Sequence, residues 1–244
     1  MTGKTHRAGG FLCSVVGFAL LKENGLLLAN VNEGLQWLMM YPFCMWGSVA
    51  SDLDHHWMSS PMKDPPSYVV NKLLHATAPL QKALEKTGDT KSGLYKFAKT
   101  FNASHRSWQT HSDLTLILMF ILLMAVLNNS FGLGAVDALL LRIAVMGVCL
   151  GVIAHFILDM LTTDGIVSVV LLGICKLART ANPRIRQFKC KIGIVPHWHC
   201  FSTSGSWENW VNKLLKVLNV LAMLYLLWNI FGLGSLFPYQ ITFN

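Results

Sequence analysis

Apolar residues gather in five long runs, Phe11–Ala29, Leu35–Ala50, Leu114–Leu127, Leu139–Leu158 and Val211–Gly232, separated by polar or charged stretches. A helix needs about 20 apolar residues to cross a bilayer. The pattern therefore predicts an all-α, polytopic membrane helix bundle with about five transmembrane helices. The third run, LTLILMFILLMAVL, is short unless it borrows its flanks. The first is interrupted by Lys22 and Glu23, one of which can snorkel, and Pro42 predicts a kink in the second. A sixth run, Ile166–Ala178, has 13 residues and is too short to cross as a helix at about 1.5 Å per residue. It reads as a re-entrant or interfacial segment. Residues 57–104 form a basic, amphipathic insertion within what is otherwise one domain over 1–244, and Val69–Leu84, which carries His75, reads as a helix lying on the membrane.

Charge orients this bundle. With five crossings, Met1–Gly10, Ser51–Asp113 and Asp159–Trp210 share one side and hold 16 Lys and Arg residues. Asn30–Gly34, Asn128–Ala138 and Ser235–Asn244 share the other and hold none. Positive loops stay in the cytoplasm, so the expected location is a bacterial inner membrane with the N-terminus cytoplasmic. No cleavable signal peptide is expected at the basic start.

Composition agrees with lipid rather than water as the main solvent. Hydrophobic residues are 53% of the chain and charged ones 13%, about half the usual share of a soluble domain, roughly 25%. The net charge of +8 fits contact with anionic head groups. Nucleic acid is not an expected partner, because Ala178–Lys191 offers only Phe188 for base stacking. Of six cysteines, Cys13, Cys44, Cys149 and Cys175 sit in apolar runs, Cys190 and Cys200 in a polar loop, and no CxxC pair occurs. They read as reduced, unpaired thiols.

Ionisable residues then collect at the predicted cytoplasmic ends of helices, where burial is costly enough to make each a functional candidate. His155 and Asp159, four apart, fall on one helical face, and imidazole with carboxylate suits zinc, manganese or iron. Ser51-Asp52-Leu53-Asp54-His55-His56 follows the second run, with Asp54 and His55 the better ligand candidates and His56 a spectator. His105-Arg106 and Thr110-His111-Ser112 precede the third run, and an Arg there can clamp a phosphate. His197 and His199 in Pro196-His197-Trp198-His199-Cys200 match no standard zinc spacing.

Together these blocks resemble the YdjM-type family of membrane-bound, metal-dependent hydrolases. That family carries an N-terminal His, matched by Thr5-His6, and a Leu-Pro-Asp-x-Asp-His block, matched by Ala50-Ser51-Asp52-Leu53-Asp54-His55. Its His-Arg-Gly-x-Thr-His-Ser is matched by His105-Arg106 and Thr110-His111-Ser112, and its His-x-x-x-Asp-x-x-Thr-x-x-Gly by His155, Asp159, Thr162 and Gly165. A Gly-x-x-x-Glu is matched loosely by Gly205-Ser206-Trp207-Glu208. Two departures stand out. Ser51 replaces the family's proline, and the interval from His105 to His111 is one residue longer, about 100° of extra rotation on a helix. The order of ligands is also distantly similar to zinc-dependent phospholipases C and single-strand-specific zinc nucleases.

The resemblance implies a divalent-metal hydrolase acting on a phosphoester of a lipid or membrane-presented substrate. The expected ligands are His6, Asp54, His105, His111, His155 and Asp159, with His55 beside them. Six exceed the three of a lone catalytic zinc and suit two or more ions, zinc first and manganese second. Arg106 is expected on the substrate phosphate, with Asp52 and Glu208 orienting ligands or serving as general bases. The rival is a non-enzymatic membrane protein whose His/Asp cluster staples helices or handles an ion.

Overall fold

The computed structural model describes residues 3–27, 31–54, 63–103, 109–162, 166–170, 173–174, 191–192 and 205–232. Helix α1 spans Gly3–Glu23, α2 Glu33–Ala50, α3 Pro65–Leu74, α4 Ala78–Lys86, α5 Gly93–Phe101, α6 Asp113–Leu127, α7 Ala135–Met160 and α8 Ser206–Tyr225. A 3-10 turn, Ser51–Asp54, extends α2, and a π turn, Leu226–Ile230, extends α8. The two-residue strands β1 (Ile166–Val167) and β2 (Lys191–Ile192) pair antiparallel. Each of the five long apolar runs lies largely in a helix, and the described residues are all-α apart from that one pair.

Among the described residues, two helical segments are long and apolar enough to span a bilayer, Asp137–Met160 and Ser206–Ile230. Helix α6 is apolar but has 15 residues, about 22 Å of helix against a hydrocarbon core near 30 Å. Large apolar side chains on α6 (Ile117, Leu118, Phe120, Ile121) and on α8 (Val217, Val220, Leu221, Leu224) are exposed. In water such faces would drive association; in lipid they are matched to the solvent.

Helix α1 is displaced from the run that predicts it. It starts eight residues before Phe11, which puts His6 on a helix, and it stops at Glu23 because Gly25 adopts φ 65°. There Leu26 N–H bonds Leu21 O and Gly25 N–H bonds Lys22 O, the paired closure that left-handed glycine permits. Helix α2 starts where Asn32 caps Leu35 N–H, and it stays helical through Pro42. The expected surface helix over Val69–Leu84 is divided into α3 and α4 near His75–Thr77, ahead of Pro79, which fits only a first helical turn.

Helices α2 and α7 form the most extensive pairing in the bundle, and glycines set its closeness. A Cβ on Gly47 would lie 2.4 Å from Val148 O, one on Gly147 2.6 Å from Met40 O, and one on Gly151 2.1 Å from Cys44 O. Where lipid removes the hydrophobic drive between helices, backbone approach through small residues is a main source of contact. Helices α1 and α8 close the core around Val15, Phe18, Met40, Ile143, Ala222 and Leu226. The three short helices α3, α4 and α5 fall within the basic stretch 57–104. Of these, α3 is tied to α2 and to the 3-10 turn after it through Trp46 Nε1–H to Ser67 Oγ (3.0 Å) and Asn71 Nδ2–H to Leu53 O (2.6 Å). The turn carrying Asp52 and Asp54 is thereby held from both sides.

Candidate metal centre

Four segments bring their polar side chains to one buried point. Helix α1 contributes His6, the 3-10 turn after α2 contributes Asp52 and Asp54, the segment before α6 contributes His111, and the end of α7 contributes His155 and Asp159. The side chains of His6, His111, His155 and Asp159 are 0–1% exposed, and that of Asp52 is 12% exposed. Burying so many ionisable groups is costly unless they neutralise one another or coordinate a metal.

The distances favour coordination. His111 Nε2 lies 3.1 Å from His155 Nε2 and 3.7 Å from Asp52 Oδ1. Asp159 Oδ2 lies 3.5 Å from His111 Nε2 and 3.4 Å from His155 Nε2, and Asp52 Oδ1 lies 3.9 Å from His155 Nε2. Around a tetrahedral zinc with ligands at about 2.0–2.1 Å, neighbouring donor atoms are about 3.3 Å apart. The five separations bracket that edge. The other oxygen of Asp159, Oδ1, lies 3.5 Å from His6 Nε2, and the His6 ring stacks on His155 at 3.8 Å. Two groups can therefore hold a metal ion, Asp52 with His111 and His155, and His6 with His155 and Asp159.

Outer partners fix the rings. His155 Nδ1 is 2.8 Å from the Ser48 carbonyl, which can only accept, so Nδ1 carries the proton and Nε2 keeps its lone pair. That carbonyl is reachable because α2 and α7 touch at Gly47 and Gly151. His111 Nδ1 faces Asp54 Oδ2 at 3.3 Å, and Thr110 Oγ1–H donates to the same oxygen at 2.6 Å. Thr5 Oγ1–H donates to Glu208 Oε1 at 2.6 Å, which ties the start of α8 to the residue before His6.

The two aspartates of the turn are placed differently from the sequence expectation. Asp52, expected behind the ligands, supplies an oxygen to one of the two groups, whereas Asp54, expected as a ligand, stands behind His111 on its far nitrogen. The alternation of a 3-10 turn decides this, and the spacing of the motif does not reveal it. Glu208 belongs to neither group and sits on Thr5. His6, His111, His155 and Asp159 come together as expected. His55, His56, His105, Arg106, His197 and His199 lie outside the described residues, as do residues 171–172 and 175–178 of the run Ile166–Ala178. His75 belongs to neither group, and its Nδ1 lies 3.1 Å from Asn102 Oδ1. Cys13, Cys44 and Cys149 are free thiols. Sequence reasoning places Thr5 and Thr110 in the matched motifs without a role, and it misses the Ser48 carbonyl; a backbone oxygen leaves no trace in side-chain patterns.

Charge in the connecting segments is arranged around His111. Burial would depress its pKa, but its hydrogen bonds to Asp52 and Asp54 outweigh that and push it up to about 9. Burial would raise Asp52, but the hydrogen bond to His111 and the nearby His155 and His6 hold it below the usual carboxylate range. The charged His111 therefore stabilises the ion-free fold below about 6.5, and that contribution is lost as pH rises through about 9. Metal requires the neutral ring. Zinc uptake by the group Asp52, His111 and His155 at pH 7 is expected to release about one proton, with affinity falling roughly tenfold per pH unit below about 9. Titration in weakly buffered detergent solution reads this directly; uptake without proton release at pH 7 would show His111 already neutral.

The family model described as YdjM inner membrane protein matches residues 1–236 of the chain. No curated protein and no solved structure matches it.

Proposed function

We propose that this chain, which belongs to the YdjM inner membrane protein family, is a membrane-embedded, divalent-metal-dependent hydrolase that cleaves a phosphoester of a lipid or membrane-presented substrate. The observation that carries the reading is the approach of His111 Nε2, His155 Nε2, Asp52 Oδ1 and Asp159 Oδ2 to one another at metal-ligand separations. A divalent ion supplies a Lewis acid and acidifies a coordinated water toward neutral pH. The residues divide the remaining work. Ser48 and Asp54 hold the two imidazoles in the ligand tautomer. Asp159 turns Oδ2 toward His111 and His155 and Oδ1 toward His6, as a carboxylate bridging two ions would. Asp52, the most exposed of the ligand set, marks the side from which substrate and water enter. Arg106, by its place in the motif, binds the substrate phosphate. An apolar cavity of about 420 Å³ between α2, α6 and α7, lined by Pro42, Phe43, Trp46, Met119, Leu122 and Val148 among others, supports a substrate with a hydrocarbon chain. All five long helices cross the membrane in this reading, with the 16 basic residues of the loaded side in the cytoplasm.

A second reading draws on the same count of donors. The same His and Asp donors would also suit a closed structural site, which would staple helices without catalysis. Metal-loaded protein presented with phospholipids, isoprenoid phosphates and nucleotides separates the two. Turnover of one class is expected, and Arg106→Ala should lower kcat/KM roughly 10- to 150-fold with metal retained, the value of about 1.5–3 kcal/mol for a charge-assisted hydrogen bond. Retained metal with no turnover of any class would select the structural reading.

A further inference from the structure

One face of α8 is polar in an otherwise apolar span. Asn209, Asn212, Lys213 and Lys216 recur at the three- and four-residue intervals of a single helical face. Opposite them stand Lys4 and Ala8, one turn apart on α1, and the two helices enclose a cleft of about 430 Å³ lined by these six residues. Asn219 continues the stripe and closes the inner end, its Nδ2–H donating to Ala8 O at 3.1 Å. Three lysines thus line one space. Among the described residues, Lys4, Lys213 and Lys216 have no carboxylate partner, and the nearby Glu208 is engaged by Thr5. Left to themselves the three charges repel, and lysine in a helix that crosses lipid is costly. A ligand carrying negative charge removes both penalties.

We infer that this α1–α8 cleft binds the phosphate of an anionic phospholipid head group. Lysine ammoniums act as point charges on phosphate oxygens, and the amides of Asn209 and Asn212 can donate to those left over. Lys213 lies seven residues after the first residue of α8, about 10 Å along the axis, a depth that suits a head group. Basic pockets between membrane helices are a general form of lipid recognition. The cleft is separate from the His/Asp cluster, since Lys4 and His6, two residues apart, differ by about 200° around α1. The inference therefore does not rest on the metal reading.

Native mass spectrometry of the full-length protein in mild detergent, with phosphatidylglycerol, phosphatidylcholine or inorganic phosphate added, tests it. Phosphatidylglycerol should be retained over phosphatidylcholine. The triple variant Lys4→Gln, Lys213→Gln, Lys216→Gln should weaken that retention by about fivefold per lysine, on the order of 100-fold together. The corresponding Lys→Arg triple, which keeps the charge, should restore most of it and controls for folding. Replacing Lys82, Lys86 and Lys96 on α4 and α5 with Gln should leave it unchanged. Equal retention by the wild type and the Gln triple, equal loss in the α4/α5 control, or tight binding of inorganic phosphate without the lipid would each overturn the assignment.

Discussion

Asp159→Ala is expected to empty the metal centre. Its two oxygens reach different partners, Oδ2 to His111 and His155 and Oδ1 to His6, so one substitution withdraws a ligand from both sides of the cluster. Changes to outer partners of a metal ligand typically cost 10- to 100-fold in affinity. Asp54→Ala, which removes the carboxylate behind His111 Nδ1, should fall in that range. Asp159→Ala should exceed it, with bound zinc or manganese lost on purification and any hydrolysis lost with it. Elemental analysis of wild type, Asp54→Ala and Asp159→Ala, purified alike, gives the ranking. Equal metal in wild type and Asp159→Ala would remove the centre from the chemistry of this protein. Arg106→Ala, retaining metal, provides the contrast that separates loss of the ion from loss of substrate contact.

The ligands that the sequence exposes most clearly are those whose spacing is local. His155 and Asp159 share a face because four residues are close to one helical turn, and their side chains meet at 3.4 Å. His6 was reached by resemblance alone; hydropathy opens the first helix at Phe11, whereas α1 begins at Gly3. Asp52 and Asp54 were both visible, but their roles depend on the 3-10 turn that directs one to the cluster and the other behind His111. Composition and periodicity identified the long helices because lipid-facing positions must be apolar whatever their neighbours. They passed over the feature that decides how α2 and α7 approach. Gly147-x-x-x-Gly151 stands in the fourth apolar run as a small-residue motif, and hydropathy treats both glycines as filler.

That motif carries the other large effect. A side chain at Gly151 would meet backbone, with Cys44 O 2.1 Å and Ser48 N 2.6 Å from its first carbon, and backbone cannot rotate aside. Gly151→Ala must therefore part α2 and α7 by on the order of 1 Å to reach ordinary contact distances. Overpacking of this kind costs about 1–3 kcal/mol, and here it acts on the centre as well. The Ser48 carbonyl that holds the His155 proton at 2.8 Å would move out of reach, which frees the ring to turn its lone pair away from the ligand position. A lower unfolding temperature and weaker metal binding should appear together. Gly151→Leu, with no space for three further carbons, should yield little folded protein. Gly93→Ala offers the comparison, since nothing lies within 4 Å of a Cβ there, and it should match wild type in both measurements. Thermal unfolding in detergent with parallel zinc titration tests the coupling. If Gly151→Ala unfolds at the wild-type temperature and binds zinc as tightly, the close crossing of α2 and α7 does not position His155.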